Sequence, residues 1–366
     1  MSVHYWIEDE MHEVSEYARR SRAPSLLAPA ALLAAVACTA APESVLAPAP
    51  PPESVPAPAP PPECAMAESD RAWIERALEA WRFASREIAG IAHVPRYRAI
   101  FFDAACVRTS DDALTSPDAR GVTWSAAPHA GTISTPSGNE VPVGVTSFAS
   151  GKDGSYWFVM STPSVWEAGG VGQGPSLATT MVAVLLHEAS HVAQLGPYGP
   201  RLGALIERNA LPDSFNDDAV QERFRSNAEF AASVGRETAM FIDAATKEDD
   251  EEARLLAFEA RDLMRARAAR WFVGDAAYLA EAEDIWLTFE GAGQWVAYQW
   301  LIHPRGGAQA PAELLPGFAR DHSWSQAEGF AVVMALDRIA GPGWKSHAFG
   351  DGERTVLEML DAALEQ

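Results

Sequence analysis

Five consecutive residues, His187-Glu188-Ala189-Ser190-His191, have the types and spacing to do chemistry, and they follow the apolar run from Met181 to Leu186. On a helix, positions four apart stand one turn above each other, so both imidazoles leave from one face. Two nitrogens placed in this way can take two corners of a tetrahedral Zn²⁺. Glu188, one residue past the first histidine, can reach a water activated by that metal and act as a general base. With nine histidines in 366 residues, a chance H-E-x-x-H is expected at about 2 %, so the surroundings decide. Leu177 to Leu195 reads as a largely buried helix, apolar at Met181, Val182, Val184, Leu185, Val192 and Leu195, that stops at Gly196-Pro197. Two histidines and a glutamate are costly to bury there without partners, and a cation removes that cost.

An open catalytic zinc site needs three protein ligands. An H-E-x-x-H-x-x-G-x-x-H continuation is absent, since Gln194 and Pro197 stand in its path, and a carboxylate is the natural substitute. Glu290 is favoured because Gly291 beside it allows close helix packing near a metal. Trp286, Leu287, Phe289, Trp295, Val296 and Trp300 also make its neighbourhood apolar, where a carboxylate needs a cation. Glu229, in Asn227-Ala228-Glu229-Phe230, is the competing ligand and would shorten the connection. Glu283 shares nearly the face of Glu290, either as an acceptor for a histidine N–H or as an exposed carboxylate, with Asp284 an equal contender.

The segment with Trp286-Leu287, Glu290-Gly291 and Trp295 resembles the W-L-x-E-G-x-x-x-aromatic motif of gluzincins related to the zinc aminopeptidases. One extra residue separates Trp-Leu from Glu-Gly here, and the connection from His191 is longer than in those enzymes. Helical stretches at 217–246 and 247–273 fill it. The resemblance implies an α+β, mainly α, zincin-like fold: a small N-terminal β-sheet, then the metal helix, then a helical C-terminal part. It also implies Zn²⁺ held by His187, His191 and Glu290, with Glu188 as general base for hydrolysis of a peptide or protein substrate. A tetrahedral oxyanion needs a further donor, for which Tyr298, His303 and His322 stay open.

The elements that must position these groups follow from periodicity. Ser69 to Ala89 reads as an amphipathic helix with Trp73, Ala77, Leu78, Trp81 and Ile88 on its apolar side. Residues 97–102, 141–148 and 155–160 read as strands. By the same resemblance, 155–160 is an edge strand that pairs with an extended peptide; an ordinary core strand is the alternative. From Leu177 on the chain reads as almost entirely helical, ending with helices at 326–340 and 353–363.

Ahead of the fold, Arg19, Arg20 and Arg22 precede a short apolar stretch that ends Ala35-Val36-Ala37-Cys38. This has the form of a secretory signal and resembles a bacterial lipobox. Tandem Pro/Ala-rich decapeptides then occupy 42–51 and 52–61, a composition suited to an extended tether. The expected organisation is a signal segment at 1–38, a tether at 39–66, and a metallopeptidase domain at 67–366, divided into helix plus sheet (67–176) and helical part (177–366). The chain is expected to be exported to the bacterial cell envelope, touching membrane only through a lipid anchor at Cys38. Cys64 and Cys106 are then an even pair that can bridge.

A net charge of −22 argues against nucleic-acid partners. The arginines of 261–270 are interleaved with acids and read as a solvated helix face. The rival reading is a non-catalytic surface lipoprotein, a binding module with a vestigial or structural zinc site. Glu188 separates the two, because a binding module needs no general base.

Overall fold

The computed structural model describes residues 64–91, 94–111, 122–212, 215–320, 323–352 and 354–365. The signal segment, most of the tether and His322 lie outside the described residues. Among those described, the chain is mainly helical with a small five-stranded sheet and a two-stranded ribbon, which fits the α+β, mainly α, expectation.

Helix α1 (Glu68–Phe83) buries Trp73, Ile74, Ala77, Leu78 and Trp81 along one stripe and runs into a π-type turn at Ala84–Ile88. Ahead of it Cys64 is disulfide-bonded to Cys106, with Cα atoms 5.8 Å apart, and Met66 is buried. The folded part thus reaches back past Ala67 to Cys64.

The sheet consists of β1 (Tyr97–Phe102), β2 (Cys106–Ser110), β3 (Trp124–Pro128), β6 (Ser147–Lys152) and β7 (Ser155–Ser161), in the order β3-β2-β1-β7-β6. Strands β1 and β7 are parallel and the other pairs antiparallel. A separate ribbon joins β4 (Thr132–Ser134) to β5 (Glu140–Pro142). The expected strand at 141–148 therefore splits, its first residues in β5 and its last two opening β6. The expected edge position of 155–160 is also corrected. Strand β7 is paired on both sides, and Trp157, Phe158, Val159 and Met160 are all buried. A run of apolar residues covered on both faces marks a central strand. The edges are β3 and β6, and β6 packs against the helix that carries His187 and His191.

Nine further α-helices follow among the described residues: α2 (Pro163–Ala168), α3 (Gly174–Arg208), α4 (Ala219–Phe224), α5 (Ala228–Thr246), α6 (Asp250–Trp271), α7 (Leu279–Ile302), α8 (Pro311–Phe318), α9 (Trp324–Ala340) and α10 (Val356–Leu364). Helix α3, which carries His187 and His191, does not stop at Gly196-Pro197 but passes through Pro197 and Pro200. Proline removes a backbone donor there, and tertiary contacts offset the loss. Tyr198 is wholly buried and its hydroxyl donates to the carbonyls of Arg354 (2.7 Å) and His347 (3.2 Å), while Leu205 is also wholly buried. The stretch 217–246 breaks between α4 and α5 because the Asn227 side chain caps α5, accepting from the Glu229 and Phe230 N–H groups.

Apolar residues of α1, the sheet and the helical part share one core that contains Trp73, Phe101, Phe158, Leu185, Phe330 and Leu360. Each large side chain buried there contributes roughly 1.5–3 kcal/mol, so the metal helix is fixed from several sides. Helix α7 crosses α9 at a pair of glycines. A Cβ on Gly291 would overlap the Gly329 carbonyl, and a Cβ on Gly329 would come within 2.8 Å of the Leu287 carbonyl. No helix among the described residues is long and apolar enough to cross a membrane.

Candidate metal centre

Helices α3 and α7 run antiparallel where they meet, with His187 against Gly293 and Gln194 against Thr288. This crossing brings His187, His191 and Glu290 together, with ligand atoms all within 4.8 Å of one another. The two histidine Nε2 atoms are 2.8 Å apart, and each stands 3.2 Å from a different oxygen of Glu290. All three residues are less than a tenth exposed. Two imidazole nitrogens and a carboxylate are a donor set for zinc, and these spacings come close to the edges, about 3.3 Å, of a tetrahedron with ligand bonds of about 2 Å.

Small residues make the approach possible. A Cβ on Gly293 would lie 2.9 Å from His187 Nδ1 and 3.1 Å from its Cε1, so only glycine lets the ring lie against α7 without displacement. Orientation comes from Gln194, which is wholly buried. Its Oε1 stands 3.3 Å from His191 Nδ1, and its Nε2 donates to the Thr288 carbonyl at 2.9 Å. An acceptor at Nδ1 selects the tautomer that leaves the Nε2 lone pair for a cation. Glu188 is also buried, and Ser147 of edge strand β6 donates its Oγ–H to Glu188 Oε1 at 2.8 Å.

Charges sharpen the cluster. Burial alone would push the Glu290 carboxyl up, but the neighbouring His191 and His187 outweigh it and hold Glu290 well below the ordinary carboxylate range. Burial likewise pulls His191 down, and the charge and hydrogen bonding of Glu290, helped by Glu188, raise it to about 9. Asp217 lies close enough to feel Glu290; burial, with Glu290 and Asp218 adding, lifts its pKa well above the usual range.

Glu229 is elsewhere: it is exposed on α5, and both of its oxygens pair with Arg270. Tyr298 lies eight residues past Glu290, about 12 Å along α7, with its ring packed against Phe318 and Phe330. His303 caps the far end of α7, where its ring contacts Phe83 at 5.0 Å and its Nδ1 accepts the Arg305 N–H. Neither joins the metal-ligand group.

Glu283 is neither a histidine partner nor exposed. With Glu237 and Glu328 it surrounds Arg267, whose side chain is wholly buried. Arg267 donates to Glu283 at 2.7 Å, to Glu237 at 2.8 Å, and to both oxygens of Glu328 at 3.0 and 3.1 Å. The arginine stretch 261–270 is therefore not simply a solvated face, since Arg261 is buried as well. Three carboxylates make Arg267 buriable. Burial raises the Glu283 and Glu328 carboxyls despite the guanidinium. Asp284 is turned toward Thr355 rather than the histidines, and burial raises it to about 7.

Sequence reasoning missed Ser147, Gln194, Gly293 and Asp217. Gln194, three residues past His191 on the same helix, carried a signal at i+3 spacing; Ser147 and Asp217 come from elements whose docking no local pattern reveals. Comparison with protein-family models, with curated proteins and with solved structures finds no match for this chain.

Proposed function

We propose that this protein is a zinc-dependent metallopeptidase with a gluzincin-type site on a zincin-like scaffold. One observation carries the reading: the Nε2 atoms of His187 and His191 converge on the two oxygens of Glu290, with Glu188 one residue along the helix. Zinc bound by these three residues would supply Lewis acidity and a water of lowered pKa.

The chain's own residues supply the rest. Glu188 takes the proton of the attacking water and passes it to the leaving amine. Ser147 occupies one oxygen of Glu188, which fixes the carboxylate and leaves its other oxygen for that proton. Edge strand β6, packed on the metal helix, offers unpaired backbone groups to an extended peptide. Export to the bacterial cell envelope, anchorage through Cys38 and a spacer from 39 up to the folded part at Cys64 would set this site at a membrane surface.

The test is hydrolysis of a quenched fluorescent peptide pool by zinc-loaded protein. Glu188→Gln should keep the metal and lose roughly 10²–10⁴-fold in kcat. A zinc-loaded protein without hydrolytic activity, or with activity untouched by Glu188→Gln, would favour the non-catalytic binding module.

A further inference from the structure

We propose that a cleft on the back of the metal helix is a second binding site, for a flat organic anion: a carboxylate or sulfonate carried on an aromatic body. The cleft is about 670 Å³ and lies between α1, α2, the first turns of α3 and the loop that follows α7. That volume suits a small organic ligand. Its α3 wall is Ala178, Thr179 and Val182. At 100° per residue Ala178 and Val182 lie roughly 140–180° from His187 and His191 on the helix, with Thr179 to one side, so this part of the cleft faces away from the candidate metal centre.

The apolar lining includes three aromatic residues, Phe83 half-buried and Trp73 and Trp300 buried, beside Pro163, Pro175 and Val182. Trp300 is 8 % exposed, and its Nε1 is buried without a hydrogen-bond partner among the described residues. Two guanidiniums, Arg76 and Arg305, stand at the rim, neither with a carboxylate partner among the described residues. Arg305 lies over the Phe83 ring with its Cζ 4.1 Å from the centroid. A guanidinium lying over a ring has one face covered, which leaves its N–H edge available to a bidentate anion.

The loop that carries Arg305 is built rather than loose. Arg305 N–H donates to His303 Nδ1, the Gly306 and Ala308 N–H groups to the His303 carbonyl, and Gly307 N–H to the Trp300 carbonyl. A Cβ on Gly306 would overlap the Trp300 carbonyl, and Ala308 takes a positive φ of 49°. A non-glycine residue in that region stores strain of a kind found at binding sites. The lining also carries three carboxylates, Glu79, Glu167 and Asp70, the last of which accepts from the Thr162 and Ser164 hydroxyls. Glu167 is held by the Gly174 N–H, whereas Glu79 opposes an anion and gives the proposal a direction to be tested.

The probe is 1-anilinonaphthalene-8-sulfonate, titrated by fluorescence into the full chain, against its uncharged relative N-phenyl-1-naphthylamine. The expected result is one saturable sulfonate site per chain, with the neutral amine bound at least about tenfold more weakly. Arg76→Gln and Arg305→Gln should each weaken sulfonate binding about tenfold, the scale of one charge-assisted hydrogen bond. Glu79→Gln should tighten it, and Glu290→Ala should leave it unchanged. Equal affinity for the neutral amine, no saturable site, or indifference to both arginine substitutions would overturn the proposal. The comparison of the two probes needs no variant, so a misfolded mutant cannot obscure it.

Discussion

Arg267→Met removes the only cation that, among the described residues, pairs with Glu237, Glu283 and Glu328 in the buried cluster that joins α5, α6, α7 and α9. Breaking a buried ion pair by deleting one partner costs about 3–5 kcal/mol, and here one guanidinium serves three carboxyl groups through four hydrogen bonds. Against a domain stability of about 5–15 kcal/mol, a loss of that size should be plain in a urea titration followed by tryptophan fluorescence. The loss should also depend on pH. Glu283 and Glu328 are already raised in the native protein, so the stability tied to their protonated forms is fully present below the unfolded carboxylate pKa of about 4.3. It is lost as pH rises through their native values. Without Arg267 those values climb further. The variant's deficit should therefore be small near pH 5 and approach the full 3–5 kcal/mol near pH 8. Replacing the three glutamates by leucine together with Arg267→Met should recover most of it, because an apolar cluster of similar volume has no charge to desolvate. A deficit under about 1 kcal/mol at pH 8, or the same deficit at both pH values, would refute this reasoning.

Three further outcomes are expected. Gln194→Leu deprives His191 Nδ1 of its acceptor and should weaken zinc affinity about 10–100-fold, read by competition with a chelating dye. Gly293→Ala places a methyl 2.9 Å from His187 Nδ1; it should weaken zinc binding as the ring is displaced, with the far-UV circular dichroism spectrum unchanged. Asp284, raised to about 7 by burial, contributes stability below its unfolded pKa that is lost as pH rises through about 7. Asp284→Asn should accordingly be more stable than the wild type at pH 8, with the advantage shrinking as pH falls and disappearing near the unfolded aspartate pKa of about 3.9 in denaturation curves.

The parts of the fold legible in the sequence were those that local periodicity controls. The apolar stripe of Trp73, Ala77, Leu78 and Trp81 marked α1, and His187 with His191 at i+4 spacing marked the metal helix. Glu290 was favoured over Glu229 on local grounds alone, its apolar neighbours and Gly291; the pairing of Gly291 with Gly329 shows what that glycine is for. Periodicity says which face is covered but not by what. Nothing near Ser147 announced that it would donate to Glu188 from a strand forty-one residues away. Arg267, in a charged stretch, looked solvated because its three carboxylate partners come from three other helices. For strand β7 analogy allows an edge and composition an ordinary core strand; the unbroken apolar run from Trp157 to Met160 is the signal for the central position it holds. The helix stop at Pro197 failed for a related reason: the contacts of Tyr198 that hold the next turn come from the C-terminal end of the chain.

The central claim is a zinc site made by His187, His191 and Glu290. Metal content of the purified chain, measured by atomic emission for the wild type, Glu290→Ala and Glu229→Ala, tests it most directly. The account predicts one zinc per chain, lost with Glu290→Ala and retained with Glu229→Ala. A wild-type chain that takes up no zinc after reconstitution, or zinc that survives Glu290→Ala, would contradict it.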